Sequence, residues 1–560
     1  MDVFLRGTTF KWCLWLWVLF YATALGFIPL PKLKKFNNVQ SPLPPSEPGP
    51  KQVAVIGAGA AGASTAYSLR KYADSLGTPV NITVFERASY VGGRSTTVNV
   101  FDDPSYPIEL GASIFVKVNY NLVNASKELG LGIKGAGYEG QQERDETIGV
   151  WDGEQFVFVM EDSGSWWNIA KLLWRYGLAP IRTQNLMKNT VNKFLQLYQE
   201  PKFPFKSLTA AAASVGLLNA TSTPGATFLE KSNVSPDFGR ELIQASTRVN
   251  YGQNLPLIHG LESMVCMATE GAVSVQGGNW QIFDGMLRSA GADVLLNHTV
   301  TSINRNADST LTIDFSDQLT NQQANFDEVV IAGPYQYSGI TVNPPLEHTP
   351  DTIPFHTLHV TLFSSPHRLS WKYFNLKRPS EYAPGIILTT LPRGTDLGNS
   401  ENGVGPAGFW SISTLRTVTA PTETDTDGQH YVYKIFSPSR PTAEFIQAIL
   451  GLDHSTSNED TNSTIGDLPE KDISWYHEKV WNPYPFLYPR VTFEDPLLAP
   501  GIWYTGGIES FISTMETSAL MGKNVAALIS QGWQDEDEDG EIRGLDDAPA
   551  VQVQDERVEL

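Results

Sequence analysis

Cysteine is scarce in this chain of 560 residues, which contains only Cys13 and Cys266. Cys13 lies in an N-terminal apolar segment that we expect to be removed, so Cys266 would be alone in the mature protein. An intramolecular disulfide, a CxxC redox pair and a cysteine metal cluster are therefore excluded. We interpret Cys266 as a buried thiol without a chemical role.

Basic residues are also in short supply, with 40 Lys and Arg against 60 Asp and Glu and a net charge of −20. Eleven of the acidic residues and two arginines lie in 535–560, so this stretch alone carries −9. The remainder is mildly acidic, which argues against a nucleic-acid partner, because phosphate binding needs a basic face. The tail itself is predicted to be solvated and disordered.

Long apolar runs are missing except near the N-terminus, where Trp12–Phe27 follows Arg6 and Lys11. This run is shorter than the roughly 20 residues of a membrane span, and Ala22-Thr23-Ala24 fits a cleavage site. We predict a signal peptide and entry into the secretory pathway, with vacuolar, lysosome-like or secreted residence left open. Six glycosylation sequons agree with this route: Asn81, Asn124, Asn219, Asn233, Asn297 and Asn462.

Two common kinds of catalytic centre have no support in the sequence. His259, His298 and the other histidines lack the spacing of metal ligands, so no metal site is predicted and a structural or surface role is expected for each. No GxSxG is present, and no hydrolase constellation is evident.

What the sequence does contain is a dinucleotide-binding signature at Val53–Gly62. The apolar run Val53–Ile56 predicts a buried strand, and Ala60–Ala73 predicts a helix. Gly57 permits the tight turn, Gly59 leaves room for a pyrophosphate, and Gly62 allows the helix to pack closely on the strand. The helix N-terminus would face the phosphates.

The residues after this signature favour FAD over NADP or NAD. Glu86 ends a second predicted strand, Asn81–Glu86, where its carboxylate can accept hydrogen bonds from a ribose and would repel a 2′-phosphate. Gly92-Gly93-Arg94 returns a glycine pair and a guanidinium to the pyrophosphate. Gly111-Ala112-Ser113 offers a turn of small residues beside a flat ring.

A second GxGxxG at Gly403–Gly408 is interpreted as part of a polar surface loop, 399–408. It has no apolar strand before it and carries proline where a helix would start. No second nucleotide site is therefore predicted.

The signature resembles the flavin-containing amine oxidase superfamily, and three further segments resemble the prenylcysteine oxidases. They are Arg248–Gln253, Val273–Asn279 and Gly506–Ser518, the last being the most specific. The resemblance extends from about Gln52 to Gly532. Tyr251, Gln253 and Glu509 are candidates for positioning water or substrate, and no catalytic base is identified.

By this resemblance Val300 would contact adenine through its backbone, and a helix from Ser513 would point at the pyrimidine end of the flavin. The following residues are expected to bind the cofactor: Gly57, Gly59, Ala60, Ala61, Gly62, Glu86, Arg87, Gly93, Arg94, Gly111, Ala112, Ser113, Val300, Gly507, Glu509 and Met515.

The resemblance implies oxidative cleavage of farnesyl- or geranylgeranyl-cysteine to cysteine, a prenyl aldehyde and hydrogen peroxide, in the degradation of prenylated proteins. Hydride would leave the prenyl carbon bonded to sulfur, and dioxygen would reoxidise FAD. Two alternatives stay open: a related flavin oxidase acting on an amine or another thioether, and a non-catalytic binding protein of this fold. Chain-length preference, oligomeric state and membrane-surface association are also open.

The implied fold is α/β, or α+β overall, with a Rossmann-like FAD-binding domain built from discontinuous segments and a mixed substrate domain containing inserted helices. The helices around Trp166, Trp167, Trp174 and Tyr176 would form core or line an isoprenoid tunnel. The predicted divisions are a signal peptide (1–24), a proline-rich linker (25–51), FAD-binding segments (52–135, 271–340 and 496–532), substrate-domain segments (136–270, largely helical, and 341–495) and an acidic disordered tail (533–560).

Overall fold

The computed structural model describes residues 49–135, 147–160, 166–317, 319–378, 382–399, 401–421, 428–452 and 463–546, without the side chains of 166–170, 401 and 536–546. The predicted signal peptide, most of the linker, the sequon at Asn462 and residues 547–560 lie outside these ranges.

The strands are β1 Lys51–Ile56, β2 Val80–Glu86, β3 Thr97–Asn99, β4 Pro107–Glu109, β5 Ile133–Gly135, β6 Ile148–Trp151, β7 Phe156–Met160, β8 Val273–Val275, β9 Asp293–Leu296, β10 Thr299–Arg305, β11 Leu311–Ser316, β12 Asn321–Phe326, β13 Glu328–Ile331, β14 Thr341–Asn343, β15 Phe355–Ser365, β16 Ile386–Thr389, β17 Ser411–Thr419, β18 Gln429–Ser437, β19 Trp475–Pro485, β20 Leu497–Ala499 and β21 Ile502–Tyr504.

The α-helices are α1 Ala60–Leu76, α2 Tyr120–Glu128, α3 Trp166–Tyr176, α4 Ala179–Leu195, α5 Leu208–Ser214, α6 Leu218–Thr221, α7 Gly225–Lys231, α8 Pro236–Phe238, α9 Gln244–Tyr251, α10 Gly260–Val265, α11 Trp280–Ser289, α12 Ala443–Leu450 and α13 Met515–Asp546.

The dinucleotide motif lies in a six-stranded sheet of order β20-β21-β13-β1-β2-β9. β1 is central and runs parallel to β2 and β13, so its apolar run is buried on both faces, as the sequence predicts. Val53 and Val55 pack towards α1, α11 and α13, while Ala54 packs towards the four-stranded sheet β12-β11-β10-β14. The result is a layer of helices, a parallel sheet and a second, smaller sheet.

The strands of the six-stranded sheet come from widely separated parts of the chain, namely 51–86, 293–296, 328–331 and 497–504. Parallel neighbours need crossover connections, and the intervening segments supply them together with a second region. The predicted Rossmann-like fold built from discontinuous segments is confirmed.

The second region contains a mixed seven-stranded sheet of order β19-β15-β18-β17-β16-β6-β7 and the helices α3–α10. One cluster of buried side chains joins these helices to Ile508, Phe511 and Leu520 of the C-terminal segment. The two regions therefore share a core, and the cavity described below lies between them.

Two sequence predictions are wrong in detail. The predicted disordered tail begins at 533, but α13 continues to Asp546, and Trp533 is buried in a cluster with residues of α1 and α11. The predicted surface loop 399–408 contains a 3-10 turn, Glu401–Ala407, with Asn399, Val404 and Ala407 buried. The GxGxxG in this turn is followed by the strand β17 and not by a helix.

Candidate active site

A single continuous cavity of about 1330 Å³ runs from the six-stranded sheet to the seven-stranded sheet and the helices α3, α4 and α9. This volume exceeds the roughly 300–1000 Å³ typical of a pocket for one small ligand. It has a nucleotide end beside α1, a polar middle, and an end lined by aliphatic and aromatic side chains, here called the apolar arm.

The nucleotide end is bounded by backbone. Gly57 has φ +112°, and a Cβ there would lie 2.9 Å from the carbonyl oxygen of Ala332. A Cβ on Gly59 would come no closer than 3.9 Å to protein atoms, namely to the Cα of Gly93, and both glycines line the cavity. No side chain caps the N-terminus of α1, and its first turn carries no acidic residue. The helix amides can therefore meet a phosphate.

Glu86 lies at the end of β2 and is buried. Its carboxylate accepts hydrogen bonds from the amides of Ala58 at 2.9 Å and Ala88 at 2.8 Å. These amides fix the carboxylate at the edge of the cavity and leave lone pairs for ribose hydroxyls. Val300 lines the same end, and so does Arg87, whose Nη1 donates to the carbonyl of Tyr337. The donor and acceptor set, the glycine cradle and the helix terminus fit a dinucleotide.

Fourteen of the sixteen predicted cofactor-binding residues line the cavity, and the other two, Gly62 and Gly507, do not. Ala60, Ala61, Gly111, Ala112, Ser113 and Met515 line it with those named above and below. A Cβ on Gly62 would lie 1.9 Å from the carbonyl oxygen of Gly57, and one on Gly507 would lie 2.5 Å from that of Glu494. Both glycines therefore serve close packing.

Glu509 is one of the predicted residues that line the cavity, and its carboxylate is held in an ion pair with Arg94. Arg94 donates from Nη1 to its Oε2 at 2.8 Å and from Nη2 to its Oε1 at 2.6 Å. Arg94 also donates to the carbonyl of Pro483 at 2.6 Å. Burial lowers the pKa of this guanidinium, but the charge of Glu509 outweighs that effect and the net shift is upward. The pair therefore joins Gly92-Gly93-Arg94 to the segment Gly506–Ser518.

The polar middle contains a lysine that the sequence analysis missed. Lys434, on β18, is buried and lines the cavity, and its Nζ donates to the backbone carbonyl of Glu109 at 2.7 Å and to Ser113 Oγ at 3.4 Å. Burial lowers its pKa to about 8, although the charge of Glu109 acts in the opposite direction. A lysine inside the apolar stretch 431–436 is the signal that could have identified it.

Glu109 also lines this part of the cavity. Burial raises the pKa of its carboxyl to about 8, against the opposing effects of the Asn279 amide and the Lys434 charge. The Asn279 amide donates to Glu109 Oε1 at 2.7 Å, and the Asn279 side chain donates to the carbonyl of Ala112. The segment Val273–Asn279 therefore holds the turn Gly111–Ser113 in place.

Tyr251 and Gln253, both candidates for positioning substrate or water, have different surroundings. Tyr251 lines the cavity and donates from its hydroxyl to the carbonyl of Ser513 at 3.0 Å. Burial raises its pKa well above the ordinary value, so this hydroxyl keeps its proton. Gln253 is buried away from the cavity, where it donates to the carbonyl of Pro485 and accepts from the amide of Leu487. The prediction of a site role for Gln253 is therefore not supported by its position.

Arg248, in the same segment, is fully buried and has a structural role. Its guanidinium donates to Thr389 Oγ1, Asn254 Oδ1 and the carbonyls of Gly403 and Val404. Burial lowers its pKa to about 9. These bonds fasten α9, and with it Tyr251, to β16 and to the turn that contains the second GxGxxG.

The helix predicted from Ser513 begins two residues later, at Met515, and Ser513, Thr514 and Met515 line the cavity. Glu516 follows and accepts from the amides of Asn121 and Leu122. Burial raises the pKa of this carboxyl to about 7, although both amides oppose the shift. Glu516 thus ties the start of α13 to the start of α2.

The apolar arm lies between the seven-stranded sheet and the helices. Its lining includes Val150, Phe158, Leu172, Val191, Phe194, Leu195, Val249 and Leu388. Of the aromatic residues expected in the core or along a tunnel, Tyr176 is buried in the core, while Trp174 is 91% exposed and does neither. The side chains of Trp166 and Trp167 lie outside the described residues.

The surroundings of His259 and Cys266 are also described by the structure. His259 is fully buried and caps α10, accepting from the amide of Glu262 at its Nδ1. This agrees with the structural role expected for it. Cys266 is buried, as predicted, and it lines the cavity. Among the helices of the described ranges, none is long and apolar enough to cross a membrane.

Comparison with known proteins identifies relatives over most of the chain. The prenylcysteine lyase family profile matches residues 159–541, and a profile for NAD(P)-binding Rossmann-like domains matches 55–126. The farnesylcysteine lyase of Arabidopsis thaliana is 29% identical over 506 residues, covering 86% of this chain and 88% of the relative. Prenylcysteine oxidase 1 of Homo sapiens is 27% identical over 511 residues, covering 86% and 90%.

Solved structures show the same fold at low sequence identity. The cyclohexylamine oxidase from Brevibacterium oxydans aligns with a TM-score of 0.52 at 18% identity, covering 87% of this chain and all of the other. Putrescine oxidase bound to putrescine aligns with a TM-score of 0.50 at 15% identity, covering 86% and 98%. These likenesses concern the fold alone.

Proposed function

The chain belongs to the prenylcysteine lyase family, and from this premise we propose that it is an FAD-dependent oxidoreductase that cleaves the thioether of prenylcysteine. The substrates are farnesyl- or geranylgeranyl-cysteine, and the process served is the degradation of prenylated proteins. The observation that carries the proposal is the continuity of the apolar arm with the nucleotide end of one cavity. A cofactor and a long apolar substrate can therefore meet in its middle.

The reaction consumes one thioether, one water and one dioxygen and yields a prenyl aldehyde, cysteine and hydrogen peroxide. The carbon attached to sulfur is oxidised, its bond to sulfur breaks, and water supplies the aldehyde oxygen. Bound FAD supplies the two-electron acceptor that protein side chains lack. Glu86, the α1 N-terminus and the Gly59–Gly93 cradle would hold its adenosine and pyrophosphate parts.

The protein's own contribution begins with orientation and the exclusion of water. Leu172, Val191 and Phe194 surround an isoprenoid chain with apolar surface, which favours a buried chain by about 25 cal/mol per Å². With the chain in the arm, the thioether at its polar end lies towards the middle of the cavity. The apolar side chains of the arm also keep bulk water from the isoprenoid chain.

Lys434 is better suited to accept a proton than the candidates named from the sequence. The Tyr251 hydroxyl donates a hydrogen bond to the backbone carbonyl of Ser513, and Arg94 holds Glu509 in an ion pair. Lys434 has a pKa of about 8, so its Nζ exchanges a proton close to neutral pH. We propose that Lys434 Nζ accepts the proton released when water adds to the oxidised carbon.

The direct test is incubation of the purified protein with farnesylcysteine while peroxide and free cysteine are followed. Equal amounts of peroxide and cysteine are expected, with bleaching of the flavin spectrum when oxygen is removed. A flavin-containing protein that bleaches with amines and not with farnesylcysteine would support the amine-oxidising alternative. A colourless protein that stays colourless after incubation with FAD would support a non-catalytic binding protein.

We also propose that the chain is delivered to the secretory pathway, with its final compartment left open. The proposal rests on the apolar N-terminal segment and on the sequons, of which Asn81, Asn124, Asn219, Asn233 and Asn297 are exposed. A reduction in apparent mass on treatment with a peptide N-glycosidase is expected for protein expressed in a eukaryotic host. An unchanged mass, together with a retained N-terminal segment, would contradict it.

A further inference from the structure

The helical hairpin α3–α4 presents large apolar side chains to solvent. Trp174 is 91% exposed and Leu178 is 57% exposed. Gly177, with φ +59°, turns the chain between the two helices and places Leu178 at the start of α4. Exposed apolar groups grouped in this way mark interaction surfaces more often than isolated ones do.

The same stretch is basic in an acidic protein. Residues 166–206 contain seven Lys and Arg and one acidic residue, Glu200, a net charge of +6 in a chain of −20. Lys171, Arg175 and Arg182 are exposed beside Trp174 and Leu178. Arg175 also pairs with Glu241 at 2.8 Å, whereas Arg182 donates to the uncharged carbonyl of Asn233.

The opposite face of the hairpin forms a wall of the cavity. Leu172 on α3 and Val191, Phe194 and Leu195 on α4 line the apolar arm. The hairpin is therefore the layer that separates the apolar arm from the exposed basic and apolar surface.

We propose that the outer face of the α3–α4 hairpin docks on the surface of a bilayer that contains anionic phospholipids. Tryptophan and leucine enter the interface between headgroups and acyl chains, and lysine and arginine bind the negative headgroups. A second copy of this chain is disfavoured as the occupant, because the exposed Lys171, Arg175 and Arg182 of one copy would repel the same three cations of the other. An apolar substrate could then pass from the lipid into the arm. This last step, but not the docking, rests on the proposed function.

Vesicle sedimentation tests the docking without any substrate. The intact protein is expected to bind phosphatidylcholine vesicles that contain phosphatidylserine and to lose this binding at high salt. It should not bind vesicles of phosphatidylcholine alone. Trp174→Ala combined with Leu178→Ala should weaken binding by roughly tenfold or more. Lys171→Gln should weaken it by roughly fivefold.

Matched controls separate docking from general exposure and charge. Leu319 is 92% exposed on the turn between β11 and β12, and Lys471 is exposed before β19. Leu319→Ala and Lys471→Gln should bind vesicles as the unmodified protein does. Because the altered side chains are exposed, the variants should unfold at the same temperature as the unmodified protein.

Three outcomes would overturn the proposal: equal binding by the hairpin and control variants, binding that does not need the anionic lipid, and self-association of the protein that the Trp174→Ala variant abolishes. The docking and the proposed function fail separately. Vesicle binding without turnover of farnesylcysteine would leave the docking intact, and turnover without vesicle binding would leave the enzyme intact.

Discussion

Arg94 and Glu509 form a bidentate ion pair across 415 positions of the chain. Glu509 is buried and Arg94 is partly exposed towards the cavity. Glu509→Gln keeps the shape but removes the charge, so Arg94 loses its anionic partner. We expect the free energy of unfolding to fall by about 1.5–3 kcal/mol and flavin to be retained less tightly, measured by urea unfolding and by dialysis.

A second bidentate pair provides the control for this variant. Arg440 donates to Glu478 from both Nε and Nη2, but this arginine is half exposed. Glu478→Gln should cost less than about 1 kcal/mol. Equal losses in the two variants would show that the Arg94 pair has no special part in the site.

Substitutions at two glycines of the same motif are expected to have different effects, one on flavin binding and one on stability. Gly59→Val adds a Cβ that would lie 3.9 Å from the nearest protein atom outside the adjoining residues, the Cα of Gly93, and its methyl groups would take up cavity space, so a folded protein without flavin is expected. Gly62→Ala drives a methyl group against the carbonyl oxygen of Gly57, so a loss of stability of about 1–3 kcal/mol or more is expected. Flavin absorbance and thermal unfolding distinguish the two results. Full flavin occupancy in Gly59→Val would mean that the pyrophosphate binds elsewhere.

Lys434→Met should lower kcat by roughly a hundredfold if Nζ accepts the proton from the attacking water. In the unmodified protein the neutral amine becomes more abundant as the pH rises through its pKa of about 8, so kcat should rise in that range. The variant should lose this limb of the pH profile. Lys479→Met is the matched control, because Lys479 also lines the cavity. A pH profile unchanged by Lys434→Met would remove this lysine from the proton transfer.

Val191→Phe should shorten the apolar arm, since Val191 lies on α4 and lines it. We expect kcat/KM for geranylgeranylcysteine to fall by roughly tenfold more than that for farnesylcysteine. Val191→Ala, which enlarges the arm, should keep both substrates. If both substrates lost activity to the same extent in Val191→Phe, the isoprenoid chain would have to lie outside the arm.

Stability should fall as the pH rises from about 6.5 to 8. Burial raises the pKa values of Glu109 and Glu262 to about 8 and that of Glu516 to about 7. In this range the unfolded chain has released these protons, whereas the folded protein holds each one until the pH passes the raised pKa, so rising pH favours unfolding. His259 and His356, whose pKa values burial lowers to about 4, act in the opposite direction mainly below pH 6.5.

Glu262→Gln tests this linkage. The carboxyl of Glu262 is fully buried, and the Tyr251 hydroxyl and the Ser513 amide only partly offset the effect of burial on its pKa. The variant should flatten the dependence of the unfolding free energy on pH by up to about 1.4 kcal/mol per pH unit. Well below pH 4.5 the difference in slope should disappear, because the carboxyl is then protonated in both states. An unchanged slope would show that Glu262 is ionised in the folded protein.

The nucleotide half of the site could be predicted because it is encoded locally. The apolar run Val53–Ile56, the turn at Gly57 and the carboxylate of Glu86 lie within one strand–helix–strand unit, so each could be predicted from neighbouring residues in the sequence. Lys434 could not be placed this way, because its position beside Ser113 depends on how two distant sheets meet. Gln253 misled for the same reason, since its partners at 485 and 487 are far away in sequence.

The C-terminal segment completes the FAD-binding region that the N-terminal strand–helix–strand unit begins. β21 lies in the same sheet as β1, and α13 packs with α1 in one cluster of buried side chains. Glu509 supplies the partner of Arg94. A ribosome must therefore release almost the whole polypeptide before the cavity exists, and flavin loading has to follow synthesis. Premature termination before residue 497 would leave a chain with a complete GxGxxG motif and no place to keep the cofactor.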